Sequence, residues 1–103
     1  MHPNQIHLNR YINFINSRQF REIKENSYTE KHHIIPKSLG GFDNKSNIIL
    51  LTGREHFIAH LILWKAFGGG MTIAFNMMKS KREVQNRYYK LSSRQYEQLR
   101  IDF

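Results

Sequence analysis

The chain has no cysteine. Disulfides and cysteine-held zinc are therefore excluded, and any metal must be bound by histidine or carboxylate. Long apolar runs are also missing. The longest, around Phe57 to Phe67, is broken by His60 and Lys65 and is too short to span a bilayer. The start, Met1-His2-Pro3-Asn4-Gln5, lacks the basic segment and apolar stretch of a secretory signal. A cytoplasmic location without a membrane partner is expected. Acidic residues are scarce: 8 stand against 16 lysines and arginines, for a formal net charge of +8. That balance favours a polyanionic partner, nucleic acid before anionic membrane. The length, 103 residues, suits a single domain with one modest core. A bound metal would add stability that so small a core supplies poorly.

No internal repeat or low-complexity tract interrupts the pattern. Between residues 6 and 23, Leu8, Tyr11, Ile12 and Ile15, then Phe20 and Ile23, follow the spacing of one helical face. Glu25-Asn26-Ser27 reads as a turn. Residues 28–35 are rich in β-branched and aromatic types and end at Pro36, which predicts a strand. Residues 36–47 have loop composition, and Ile48 to Leu51 predicts a short buried strand. Thr52-Gly53-Arg54-Glu55 has the form of a capping box, opening a helix that runs to about Phe67 and ends at Gly68-Gly69-Gly70. A further helix is expected from Met71 to about Lys81, and a last one capped by Ser92-Ser93 and running through Arg100. The fold class is therefore α+β. An N-terminal helix precedes a two-stranded antiparallel hairpin packed on a helix, and a helical basic tail follows.

Residues 32 to 60 concentrate the chemistry. His32 and His33 are neighbours near the end of a strand, where side chains alternate, so they face different ways and are poorly placed to share a metal. His56 and His60 lie four apart in a helix, with β-carbons about 5–6 Å apart on one face, a common geometry for two ligands of one ion. Gly40-Gly41 suits a tight turn or a close approach. Asn47 closes the loop, where asparagine usually bonds nearby backbone. Each feature has a plainer reading by itself: surface histidines, one buried and one exposed ring, an ordinary turn, simple strand termination at Pro36.

Taken together they resemble the HNH endonuclease motif, of the His-Me finger or ββα-metal class. The string is His32-His33-Ile34-Ile35-Pro36, then Gly40-Gly41, Asn47-Ile48-Ile49-Leu50-Leu51, Glu55-His56 and His60. The resemblance is strongest to small phage-encoded HNH endonucleases of the homing or free-standing kind, and covers roughly residues 8 to 100. It includes Tyr28-Thr29-Glu30-Lys31 and Ser92-Ser93-Arg94-Gln95-Tyr96-Glu97. The resemblance implies a ββα-metal core at about 28–67 within one domain. It also implies that His33 is the general base that activates water, a task suited to imidazole near neutral pH. His32, His56 and His60 would bind one divalent metal ion, and Asn47 would brace the loop and hold His33. Many family members carry aspartate at the position of His32. Products would bear 5′-phosphate and 3′-hydroxyl ends. Imidazole ligands favour zinc, nickel, cobalt or manganese, although phosphate and water can complete a magnesium site.

DNA, double-stranded first, is the expected partner. Lys37 and Arg54 lie near the motif. Lys79, Lys81, Arg82, Arg87, Lys90, Arg94 and Arg100, interleaved with Tyr88 and Tyr89, suit a phosphate-tracking tail, with a solvated helical face as the competing account. Phe57, Leu61, Ile62, Trp64 and Phe67 are expected in the core, and Ile73, Phe75, Met77 and Met78 in the core or an oligomer contact. No second DNA-reading module is visible, so the expectations are loose cutting, nicking of one strand, or specificity borrowed from a homodimer or a partner protein. The competing functions are a non-catalytic, metal-stabilised DNA-binding module and an RNA-directed or toxin-type nuclease.

Overall fold

A computed structural model gives the fold and describes residues 3–68 and 92–102. Helix α1 spans Gln5–Arg18 and is capped by Asn4, whose side chain accepts from the His7 amide. Strand β1 (Glu30–His33) pairs antiparallel with β2 (Ile48–Leu51), with His32 opposite Ile49 and His33 opposite Ile48. Helix α2 spans Gly53–Phe67 and the final helix, here α3, spans Ser93–Asp102. Both predicted caps are present. Thr52 and Glu55 exchange bonds at the start of α2, and Ser92 and Gln95 do the same at the start of α3.

The core lies where α1 and the hairpin meet α2. Tyr11 and Ile15 of α1, Ile49 and Leu51 of β2, and Ala59, Ile62 and Leu63 of α2 form one buried cluster. Burial of this kind contributes about 1.5–3 kcal/mol for each large aliphatic side chain. Helix α3 packs against α2, with the Tyr96 ring 5.5 Å from that of Phe57. A β-carbon on Gly53 would stand 3.2 Å from the Glu97 Cα, so the two backbones meet closely there.

Three expectations are corrected. Helix α1 stops at Arg18, not Ile23, because Gln19 turns extended and Phe20 takes a positive φ of 61°. The hairpin strand is shorter than residues 28–35, beginning at Glu30 and ending at His33. Trp64 is 37% exposed instead of lying in the core. The predicted loop is also partly ordered, with 3₁₀ turns at Lys37–Leu39 and Lys45–Asn47. The expected helix at 71–81, its apolar stripe, and Lys79, Lys81, Arg82, Arg87 and Lys90 lie outside the described residues. Among the described residues, no helix is long and apolar enough to cross a membrane.

Candidate metal centre and active site

Alternation along β1 turns Glu30 and His32 toward α2, and Lys31 and His33 toward the opposite face. From α2, His56 and His60 project toward the same point as His32. The three rings form a nearly equilateral triangle, with centroids 5.1, 5.0 and 4.9 Å apart. One ring nitrogen from each lies within 4.8 Å of the others.

Hydrogen bonds set which nitrogens face inward. Tyr11 Oη lies 2.6 Å from the Ile34 carbonyl and 2.7 Å from His32 Nε2. A carbonyl only accepts, so the phenol hydrogen goes to Ile34, and His32 Nε2–H must donate to the phenol oxygen. His32 Nδ1 is then left as a bare lone pair, buried and without a partner among the described residues. His56 Nδ1 lies 2.6 Å from Glu30 Oε1, so its Nε2 is the nitrogen left for the centre. His60 Nδ1 is likewise buried and unpartnered. Burial, together with the neighbouring His60 and His56, pushes His32 down to about 2; burial and His56 push His60 down to about 4. Both rings are thus neutral near pH 7, the state a metal ligand requires.

Buried lone pairs without donors are costly unless something fills them. This donor set fits a divalent transition metal bound by imidazole. The outer partners fit too, because ligating histidines characteristically donate their second N–H to a carboxylate or similar acceptor. Glu30 does this for His56, and it gathers further donors. Tyr96 Oη lies 2.9 Å away, Arg100 Nε lies 3.4 Å away, and the Tyr28 hydroxyl donates as well. Burial alone would raise the Glu30 carboxyl; the bonds from His56, Tyr28 and Tyr96 outweigh it and hold the group down at about 2.

His33 stands apart from the triangle on the outer face. Its Nε2 lies 2.5 Å from Asp43 Oδ1, and Asp43 Oδ2 lies 2.8 Å from Lys37 Nζ. The side-chain hydrogen bonds of Asn47 do not go to His33. Its Oδ1 accepts from the Ile35 amide at 2.8 Å, and its Nδ2 donates to the Ile35 and Phe42 carbonyls at 2.9 and 3.0 Å. It therefore fastens both ends of the loop that follows His33. Gly41 makes this possible: a β-carbon there would fall 1.8 Å from the Ile35 carbonyl oxygen. Arg54 is exposed, with Nε 3.3 Å from Ser93 Oγ, and Arg94 is exposed on α3.

Sequence reasoning missed Glu30, Asp43 and Tyr11. Glu30 carried a usable signal, since it lies two residues before His32 on the same face of β1. Asp43 sits in an irregular loop, where no periodicity predicts its reach.

The fold and the histidine triangle define a small ββα-metal class of domain. Residues 18–60 match the family model of HNH endonucleases, so the chain carries an HNH endonuclease domain. It is 45% identical over 87 residues to probable mobile endonuclease E of Enterobacteria phage T4, covering 84% of this chain and 61% of the relative. Probable mobile endonuclease D of the same phage is 41% identical over 99 residues, covering 90% of this chain and 38% of the relative. Probable mobile endonuclease C is 35% identical over 88 residues, covering 84% and 40%. The chain thus spans from 38% to 61% of the length of these curated relatives. No solved structure matches it significantly.

Proposed function

We propose that the chain is a phage-encoded, metal-dependent endonuclease that hydrolyses DNA phosphodiester bonds. The observation that carries this reading is the convergence of three buried imidazoles, two with orphaned Nδ1 atoms, beside a histidine held on a separate face. His32, His56 and His60 hold one divalent ion, which supplies Lewis-acid stabilisation of charge on the phosphate when bound. Zinc, nickel and manganese suit this donor set, and magnesium needs more oxygen ligands than the chain offers here. His33 takes the proton of the attacking water. Asp43 accepts a hydrogen bond from the His33 ring and orients it, and Lys37 neutralises Asp43. Asn47 keeps the loop, and with it the Asp43 side, in place. Lys37, Arg54 and Arg94 contribute positive charge for a phosphate backbone.

The test is cleavage of supercoiled plasmid with magnesium, manganese, nickel, zinc or EDTA. Nicked or linear product should appear with metal and vanish with EDTA. His33→Ala should abolish cutting while retaining metal binding and the wild-type unfolding midpoint. A folded, DNA-binding protein that never cuts with any metal would instead be a binding module. Duplex DNA, single-stranded DNA and RNA offered together identify the substrate.

A further inference from the structure

The outer face of the hairpin, which carries His33, continues into a groove whose length beyond His33 and Asp43 the chemistry above does not use. One part is lined by His33 itself with Lys31, Asp43, Lys45, Ile48 and Leu50 and is an open depression of about 610 Å³. A second part, about 480 Å³, runs on to Arg18, Phe20, Arg21 and Ile23. Lys45, Ile48 and Leu50 line both, so the two form one path. Its lining joins apolar side chains (Ile48, Ile49 and Leu50) to Lys31 and Lys45.

Phe20 stands at the far end of this path. Its side chain is fully exposed at 101%, and its φ is 61°. Single exposed apolar residues are common and mean little by themselves. A bulky residue at positive φ is a genuine outlier, however. The turn that holds it is anchored on both sides. Arg18 Nε lies 3.2 Å from Glu55 Oε2, and Arg21 forms a two-pronged pair with the same carboxylate. The ring is therefore presented outward from a pinned turn, along a groove that opens at His33.

We propose that this groove seats a nucleotide of the DNA strand being cut, with Phe20 stacked on its base and Lys45 and Lys31 on flanking phosphates. The inference rests on the nuclease reading. Aromatic rings interleaved with cations suit splayed nucleotides, because every base offers a flat face and every linkage a charge. Continuity with His33 favours the substrate strand over a separate peptide.

The test uses the full chain and a DNA substrate that the wild type cuts, with 2-aminopurine at successive positions of one strand. On a His33→Ala background, binding should quench the fluorophore at one or two positions, and Phe20→Ala should remove that quenching. In the cutting enzyme, Phe20→Ala should raise KM about tenfold, with Phe20→Trp restoring it. The unfolding midpoint should not fall. Wild-type KM and unchanged quenching in Phe20→Ala would overturn the groove assignment while leaving the nuclease intact. Failure of the wild-type chain to cut DNA with any metal would overturn the nuclease reading, and this inference with it.

Discussion

Asn47 spends its whole amide on the loop: one accepted bond from Ile35 and two donated bonds, to Ile35 and Phe42. Replacing it with aspartate would set a carboxylate oxygen against two carbonyls. Asn47→Asp should therefore cost about 2–3 kcal/mol, read from urea unfolding, and lower cleavage even in the folded fraction. The sequence marks Asn47 as a brace, but not what it braces. The loop's path depends on Gly41 admitting the Ile35 carbonyl, a contact that no local pattern encodes. Phe20 offers a contrasting case. A left-handed conformation costs a bulky residue about 1–2 kcal/mol, partly offset in a glycine variant by backbone entropy. Phe20→Gly should thus leave the protein as stable as the wild type or up to about 1 kcal/mol more stable in thermal unfolding, while weakening DNA binding. A gain in stability with a loss of affinity is the signature of a residue kept for contact.

Between elements, two glutamates serve as clasps. Glu55 caps α2 and also grips Arg18 and Arg21, so the end of α1 is fastened to the start of the metal helix. Arg21→Ala should destabilise the chain by about 2 kcal/mol in urea unfolding, because a half-buried carboxylate loses its best partner. The capping box was legible from Thr52 and Glu55 alone. The end of α1 was not: Phe20 and Ile23 keep the helical period, and only the backbone conformation breaks it. Glu30 is the second clasp, and it draws the C-terminal helix toward the histidine centre. Charge counting places Arg100 with the cations from Lys79 onward in a DNA-facing tail. The structure instead buries Tyr96 and turns Arg100 to Glu30, so this helix supports the histidine centre. A count of cations cannot tell a cation facing solvent from one facing a carboxylate. Glu30→Gln should weaken metal binding about 10–100-fold, measured by competition with a chromogenic chelator.

For the molecule as a whole, protons and metal compete for the same folded state. Burial depresses His60 from 6.5 to about 4, and His32 further. The unfolded chain therefore takes up protons at a higher pH than the native one, and stability rises with pH across that window. The metal-free protein should lose stability as pH falls from about 6.5 toward 4, with Glu55 and Glu30, both held at about 2, adding losses below their ordinary value of 4.5. Chemical denaturation at a series of pH values checks this. At neutral pH, added zinc or nickel should raise the thermal midpoint in step with the logarithm of metal concentration, and His60→Ala should abolish the rise.

The Glu30 clasp also orders events in time. Its donors Tyr96 and Arg100 follow it by 66 and 70 residues. The hairpin and the metal helix emerge from a ribosome before α3 does. A nascent chain can thus gather its histidines early, yet the carboxylate that steadies His56 receives its last two donors only when α3 emerges. The final helix acts as a latch on the centre, closing it near the end of synthesis of this stretch.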